Sequence, residues 1–214
     1  MRKVLKSLAV ALTLGWAAST ASATTISLSA SDDGIFGSDN LREVIYRELD
    51  GQTNWVYAGA FHFNDGLADF IAFCIEPGVW LDLSEDFTTG VNPLSAQVMG
   101  DVASLFETAY GSALDSALNA AAFQVALWEI VAETSGSYDL MTGNHMVMTM
   151  DVRDAANALL AGLGPVASSS YLFQTYVNSG QNQISVSPVP LPAGVLLLLT
   201  ALGGLGITRH FRAA

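Results

Sequence analysis

The first third of the mature chain alternates between apolar and polar positions in the way that β-strands do. The pattern predicts strands at 25–29, 42–49 and 54–63, and a nearly continuous apolar run predicts a buried strand at 68–75. Asn64, followed by aspartate and glycine, separates the last two runs and predicts a hairpin turn. This part of the chain therefore predicts a β-sheet or sandwich.

The middle of the chain changes to helical spacing of its apolar residues. Asn92, followed by proline, predicts the N-cap of a helix that Gly111 ends. Ser112 resembles the cap of a second helix at 113–133, which is apolar nearly all round and so is expected to be buried. A third, amphipathic helix is expected at 151–163. These segments predict a central helical subdomain.

After the helices, strand-like patterns return at 171–177 and 183–187. Strands, then helices, then strands are typical of an α+β domain. The segment 24–187 is long enough for one domain with a sizeable core and contains no long linker or internal repeat. We therefore expect a single α+β domain with C-terminal returning strands.

The first 23 residues have the composition of a secretory signal. Basic residues open the segment, an apolar stretch follows, and an A-x-A pattern ends at Ala23. We expect cleavage after Ala23 and export of the rest of the chain.

Residues 188–214 consist of a short proline motif, an apolar stretch and a basic end. As a helix, the apolar stretch 194–207 would reach only about 21 Å, which is short for a bilayer core of about 30 Å. It predicts a marginal transmembrane helix. The motif comprises Val189, Pro190, Leu191, Pro192 and Ala193.

This tail resembles the PEP-CTERM sorting signals of Gram-negative bacteria, in the variant with the sequence VPLPA. The resemblance implies processing by an exosortase-type protease and transient anchoring in the inner membrane. It implies a final location at the cell surface or in the extracellular matrix. A simple C-terminal anchor is the alternative interpretation, and both place the domain outside the inner membrane.

Charge is distributed very unevenly along the chain. All 20 acidic residues lie between Asp32 and Asp154, whereas the mature domain has three basic residues, Arg42, Arg47 and Arg153, and a formal charge of −17. Such a field repels nucleic acid, which we do not expect as a partner. The mature domain also has no lysine.

Cys74 is the only cysteine of the chain, and it falls near the end of the predicted buried strand. An internal disulfide is therefore impossible, and the thiol is inert, joined to another chain or used in other chemistry. Gln124 lies in the middle of the apolar helix, where a buried amide needs a partner. Either it forms an ordinary hydrogen bond or it joins Cys74 in an internal thioester.

Two segments resemble the thioester domains of bacterial surface adhesins. The first is FCIE at 73–76 and the second is FQVALW at 123–128, where the family has threonine in place of Phe123. The resemblance implies a thioester between Cys74 and Gln124 that attaches covalently to an amine or hydroxyl of a surface protein or exopolysaccharide. Water would be excluded by Phe73, Phe123 and Trp128.

The other chemical signals are weaker. His62 and His145 lack metal-ligand spacing, and no phosphate loop or nucleophile elbow is present. An acidic loop at 32–39 is more typical of a solvated turn than of a calcium site. We therefore expect no enzyme activity, metal or cofactor.

Two other interpretations stay open. One is a non-covalent structural or binding protein with the same fold and an inert, buried Cys74. The more distant one is a thiol hydrolase that uses Cys74 with a histidine. Glu129 is expected either to orient the reactive site or to pair with Arg153.

Overall fold

The computed structural model describes residues 23–133 and 137–190. The strands are β1 Thr24–Ile26, β2 Ser29–Ala30, β3 Arg42–Leu49, β4 Gln52–Gly59, β5 Phe61–Asn64, β6 Asp69–Cys74, β7 Phe87–Thr89, β8 His145–Val147, β9 Tyr171–Val177 and β10 Gln183–Pro188. The helices are α1 Ala96–Ala113, α2 Ala117–Ala132 and α3 Met150–Ala161.

Two antiparallel sheets flank the helices, which confirms the predicted α+β class. The larger sheet has seven strands in the order β1-β7-β9-β10-β6-β5-β2, and the smaller has the order β4-β3-β8. In the larger sheet β6 lies between its hairpin partner β5 and the returning strand β10. Cys74 is therefore at the end of a central strand, as predicted.

The expected strand at 54–63 is two strands, and Gly59 explains the break. β4 belongs to the small sheet and β5 to the large one, so the chain changes sheets between them. A Cβ at Gly59 would lie 2.1 Å from the carbonyl oxygen of Leu41, which leaves room for glycine only. Aromatic residues alternate across the whole segment, so the pattern predicted one strand and gave no sign of the change of sheet.

The predicted N-cap of α1 was wrong, because Ser95 caps the helix and not Asn92. The Ser95 hydroxyl accepts a hydrogen bond from the Val98 N–H, whereas Asn92 closes a local turn by accepting from the Leu94 N–H. The helix also continues through Gly111, since a single helical glycine costs only about 1 kcal/mol.

The predicted start of α2 was also too early. Ser112 is still in the last turn of α1, and its hydroxyl donates to the Ala109 carbonyl. Ser116 is the N-cap, and it accepts from the Asn119 N–H. From residue 120 to residue 130 every position of α2 is buried, as its all-round apolar surface predicts. This helix packs against α1, α3 and strands of both sheets, which places Gln124 at the centre of the domain.

Candidate functional site

The structure brings the two residues of the predicted pair together. The Gln124 side-chain amide lies against the backbone of Cys74 and forms two hydrogen bonds with it. Its Oε1 accepts from the Cys74 N–H at 2.9 Å, and its Nε2 donates to the Cys74 carbonyl at 2.8 Å. Both residues are fully buried. The paired bonds hold the amide at the residue that carries the thiol.

The Cys74 thiol is neutral in this environment. Burial raises its pKa to about 12. The indole N–H of Trp128, the backbone N–H of Glu76 and the charge of Arg47 lower this pKa, but by less than burial raises it. The Glu76 N–H donates to the sulfur at 3.2 Å. By geometry the indole nitrogen of Trp128 makes no hydrogen bond within the described residues, so the Glu76 N–H is the donor on the sulfur, and desolvation outweighs its effect.

The three predicted shielding residues are all buried, on two different sides of the site. Phe73 precedes Cys74 on the strand, so its side chain points to the other face of the sheet. There its ring contacts the ring of Phe123 with 4.6 Å between centroids, and Phe106 of α1 packs edge-on against Phe123 at 4.9 Å. Trp128 lies one helical turn beyond Gln124 and is near enough to the thiol to lower its pKa.

Arg47 is a residue of the site that sequence reasoning missed. It is 3% exposed, and its guanidinium carbon lies 4.6 Å from the centroid of the Trp128 ring. Its Nη2 donates to the Pro77 carbonyl, whereas Nε and Nη1 have no partner among the described residues. Burial lowers the pKa of Arg47, and Cys74 raises it. The only signal in the sequence was the scarcity of basic residues in the mature domain.

Gln183 is a second residue that the sequence did not single out. It lies directly opposite Cys74 in the β6–β10 ladder, so the two side chains are on the same face of the sheet. Gln183 is fully buried; its Nε2 donates to Gln181, and its Oε1 has no partner in the described part of the chain. A polar residue inside a short strand gave no specific signal for this position.

Glu129 lies beside His145 and not beside Arg153, so the predicted pairing with Arg153 is wrong. His145 Nδ1 lies 3.6 Å from Glu129 Oε2 in a fully buried position, while Arg153 contacts Asp154. The other carboxylate oxygen of Glu129 accepts from the Asp139 N–H. Burial lowers the pKa of His145, so its imidazole is neutral near pH 7. This arrangement gives no support to a Cys74–His145 dyad.

The remaining predicted positions lie apart from this cluster or outside the described residues. His62 is in β5 with its ring against Gly37. Ala23 and the first two residues of the sorting motif, Val189 and Pro190, are exposed. The rest of the motif falls outside the described residues, as do the expected signal peptide and the expected transmembrane helix.

Within residues 23–133 and 137–190, no group of three or more histidine, cysteine or acidic side chains is arranged to hold a metal ion. In the same part of the chain, no helix is long and apolar enough to cross a membrane.

Comparisons with protein families, with curated proteins and with solved structures find no match for this chain.

Proposed function

We propose that this is an exported surface or matrix protein that attaches covalently to a target through a thioester between Cys74 and Gln124. The observation that carries the proposal is the pair of hydrogen bonds that hold the Gln124 amide against Cys74. A reaction between two side chains is faster when the fold already holds the two groups in position, because no further entropy is lost when they meet.

Thioester formation would begin with attack of the Cys74 sulfur on the side-chain carbonyl carbon of Gln124. The negative charge that develops on Oε1 would be stabilised by the Cys74 N–H, which already donates to this atom at 2.9 Å. The carbon–nitrogen bond then breaks, and the nitrogen leaves as ammonia with the proton from the thiol. Because the thiol is neutral, loss of this proton must accompany the attack.

The target would enter in a second step. An amine or hydroxyl group attacks the same carbonyl carbon, the carbon–sulfur bond breaks, and the proton of the nucleophile returns to the sulfur. An amide or ester then joins the target to the former Gln124 side chain, and Cys74 is again a thiol. Each molecule reacts once, so the protein is an adhesive and not an enzyme.

Two features of the sequence support this role. The signal segment ending at Ala23 and the VPLPA motif with its apolar and basic tail suit a protein exported across the inner membrane and sorted to the surface. The absence of lysine from the mature domain would prevent its own copies from reacting through lysine amines. Suitable targets are amine- or hydroxyl-bearing proteins and exopolysaccharides.

The alternative function is non-covalent, with the Cys74–Gln124 contact serving only to stabilise the fold. The observation that favours it is that both polar atoms of the Gln124 amide already have hydrogen-bond partners. A satisfied buried amide joining a helix to a strand needs no further chemistry.

Intact mass of the purified mature domain distinguishes the two functions. The thioester form is lighter than the sequence by one ammonia, and methylamine adds at Gln124 to give a product heavier than the sequence by one CH2 group. Gln124→Glu, nearly identical in shape, should have its full sequence mass and take up no methylamine. The thioester proposal is contradicted if the wild-type domain has its full mass, shows a free thiol on denaturation and takes up no methylamine. The non-covalent function would then be the one supported.

A further inference from the structure

One edge of the small sheet is a long strand with an open side. β4 pairs with β3 along its whole length, and within the described residues no strand pairs with its other side. The other strands at the edges of the two sheets, β1, β2 and β8, have only two or three residues each. Among the described strands, β4 with its eight residues is therefore the only long free edge.

The hydrogen bonds of β3 show which backbone groups this edge presents. The Met148 N–H donates to the Tyr46 carbonyl, and the Tyr46 N–H donates to the Thr149 hydroxyl, so the backbone of Tyr46 faces β8. Trp55 lies directly opposite Tyr46, and the two residues of such an antiparallel pair direct their N–H and C=O groups away from each other. Trp55 therefore presents its N–H and C=O at the free edge, as do the residues two positions before and after it.

These outward groups have no partner in the described part of the chain. No described residue outside β3 forms a backbone hydrogen bond with Thr53, Trp55 or Tyr57. All three side chains are exposed, Trp55 by 65% and Tyr57 by 51%. A row of free N–H and C=O groups on a strand edge is a template for pairing with another strand.

The sequence of β4 lacks the features that usually protect an edge strand. Such strands carry charged residues or proline, or are bent by a bulge. β4 has no charged residue and no proline, although the domain is strongly acidic. Its eight consecutive pairs with β3 contain no bulge. The strand is therefore free to accept a second strand along its length.

The edge is complementary to itself. When two copies of β4 run antiparallel with Trp55 opposite Trp55, Thr53 of each copy lies opposite Tyr57 of the other. Every outward N–H and C=O of these three residues then has a partner, because the residues that face the edge are opposite each other. The two indoles form a cross-strand aromatic pair. Strand addition around a twofold axis gives a closed dimer.

The charges beside the edge also favour an antiparallel second copy. On the face of the small sheet that carries Trp55, the charged residues of β3 are Arg42 and Glu48, at opposite ends of the strand. The Arg42 guanidinium lies over the Tyr57 ring, with its carbon 4.0 Å from the centroid. Antiparallel pairing places this end beside the end of the second copy that carries Glu48 and Asp50. Parallel pairing would place like charges together.

We propose that the mature domain forms a twofold dimer by pairing β4 with β4 of a second copy, centred on Trp55. The contact is non-covalent and uses neither Cys74 nor Gln124, so it does not depend on the thioester. The acidic charge of the domain opposes association, but at physiological salt charges are screened beyond about 8 Å.

Sedimentation equilibrium of the Cys74→Ala mature domain is the first test. This background cannot form the thioester, and we expect a dimer whose fraction rises with concentration. Adding Trp55→Asp should raise the Kd of the dimer about tenfold or more, since it removes the aromatic pair and places two like charges at the twofold axis. Leu172→Asp, at a position of β9 that is 52% exposed, is the matched control and should leave the Kd unchanged. Thermal unfolding curves establish that the variants fold.

Crosslinking in the same background tests the register. Trp55→Cys places two thiols on Cα atoms about 5.5 Å apart, which is within the range of a disulfide. Thr53→Cys, on the same strand and face, places them about 14 Å or more apart. With oxidised glutathione, Trp55→Cys should therefore give a disulfide-linked dimer on a non-reducing gel, and Thr53→Cys should not. Combining Thr53→Cys with Tyr57→Cys should restore the crosslink.

Three outcomes would overturn the proposal. They are a Cys74→Ala domain that stays monomeric up to about 1 mM, a folded Trp55→Asp variant that dimerises as well as Leu172→Asp, and a Thr53→Cys variant that crosslinks as fast as Trp55→Cys. Failure to find a thioester by intact mass changes none of these results, so the two proposals fail separately.

Discussion

The two faces of strand β6 meet very different surroundings. On one face Phe73 packs into a cluster of aromatic rings from α1 and α2, and each ring there has close neighbours. On the other face, next to Cys74, are polar groups from several elements, including Arg47 and Gln183, with atoms that lack partners in the described chain. The first face contributes to stability, whereas unsatisfied polar groups on the second reduce it, as is common at functional sites.

The largest expected effect comes from the aromatic face. Phe123→Ala should lower the free energy of unfolding by about 3–5 kcal/mol, because the ring is fully buried between Phe73 and Phe106. Urea denaturation measures the change. Leu118→Ala, at an exposed position of the same helix, is the matched control and should change stability by less than about 1 kcal/mol. A loss below about 1 kcal/mol for Phe123→Ala would show that this face is not well packed.

Gln124→Leu should have the second-largest effect, about 2–4 kcal/mol of destabilisation. The substitution keeps much of the volume but leaves the N–H and C=O of Cys74 buried without partners. Urea denaturation of the reduced, full-mass protein measures it. Asn119→Leu, which removes a side-chain bond at the partly exposed start of α2, is the control and should cost about 1 kcal/mol or less. Equal losses in the two variants would indicate that the Cys74 contact is replaceable.

Arg47→Met should have a much smaller effect on stability than either of these. The variant loses the hydrogen bond to Pro77 and the contact with the Trp128 ring, but it also removes two buried nitrogens that lack partners. We expect the free energy of unfolding to fall by no more than about 1 kcal/mol. A loss of 3 kcal/mol or more would place Arg47 among the residues that hold the fold together.

The sequence predicted the aromatic face better than the polar one for a physical reason. Burial of α2 and the position of Cys74 on a central strand follow from local apolar patterns. Gln183 comes from a strand far away in sequence that pairs with β6, whereas Arg47 belongs to the other sheet and reaches the site only through the packing of the two sheets. The helix starts were wrong because Asn92 and Ser112 make local turn or helix bonds that compete with capping.

Acidification should destabilise the protein through His145. Burial holds its pKa in the folded state below the ordinary value of 6.5, so between these two values the unfolded chain binds a proton that the folded chain does not. Stability from this group is complete above pH 6.5 and is lost as the pH falls through that window. The difference between wild type and His145→Gln, measured by urea denaturation from pH 7 to pH 5, should shrink as the pH falls. A constant difference would mean that the pKa of His145 is the same in the folded and unfolded chains.

Alkaline pH also gives a small effect, and it distinguishes the thiol form of the site from the thioester form. In the thiol form the pKa of Cys74 is raised from 9.0 to about 12, so above pH 9 the unfolded chain loses a proton that the folded chain keeps. Full-mass wild type should therefore lose about 1 kcal/mol relative to Cys74→Ala between pH 8 and pH 10. The tyrosines titrate in both proteins, so their contributions cancel in the difference between wild type and Cys74→Ala. In the thioester form no thiol proton exists, so the two curves should stay parallel until the thioester is hydrolysed, which intact mass detects. A parallel pair of curves from protein of full mass would mean that the thiol ionises within the fold.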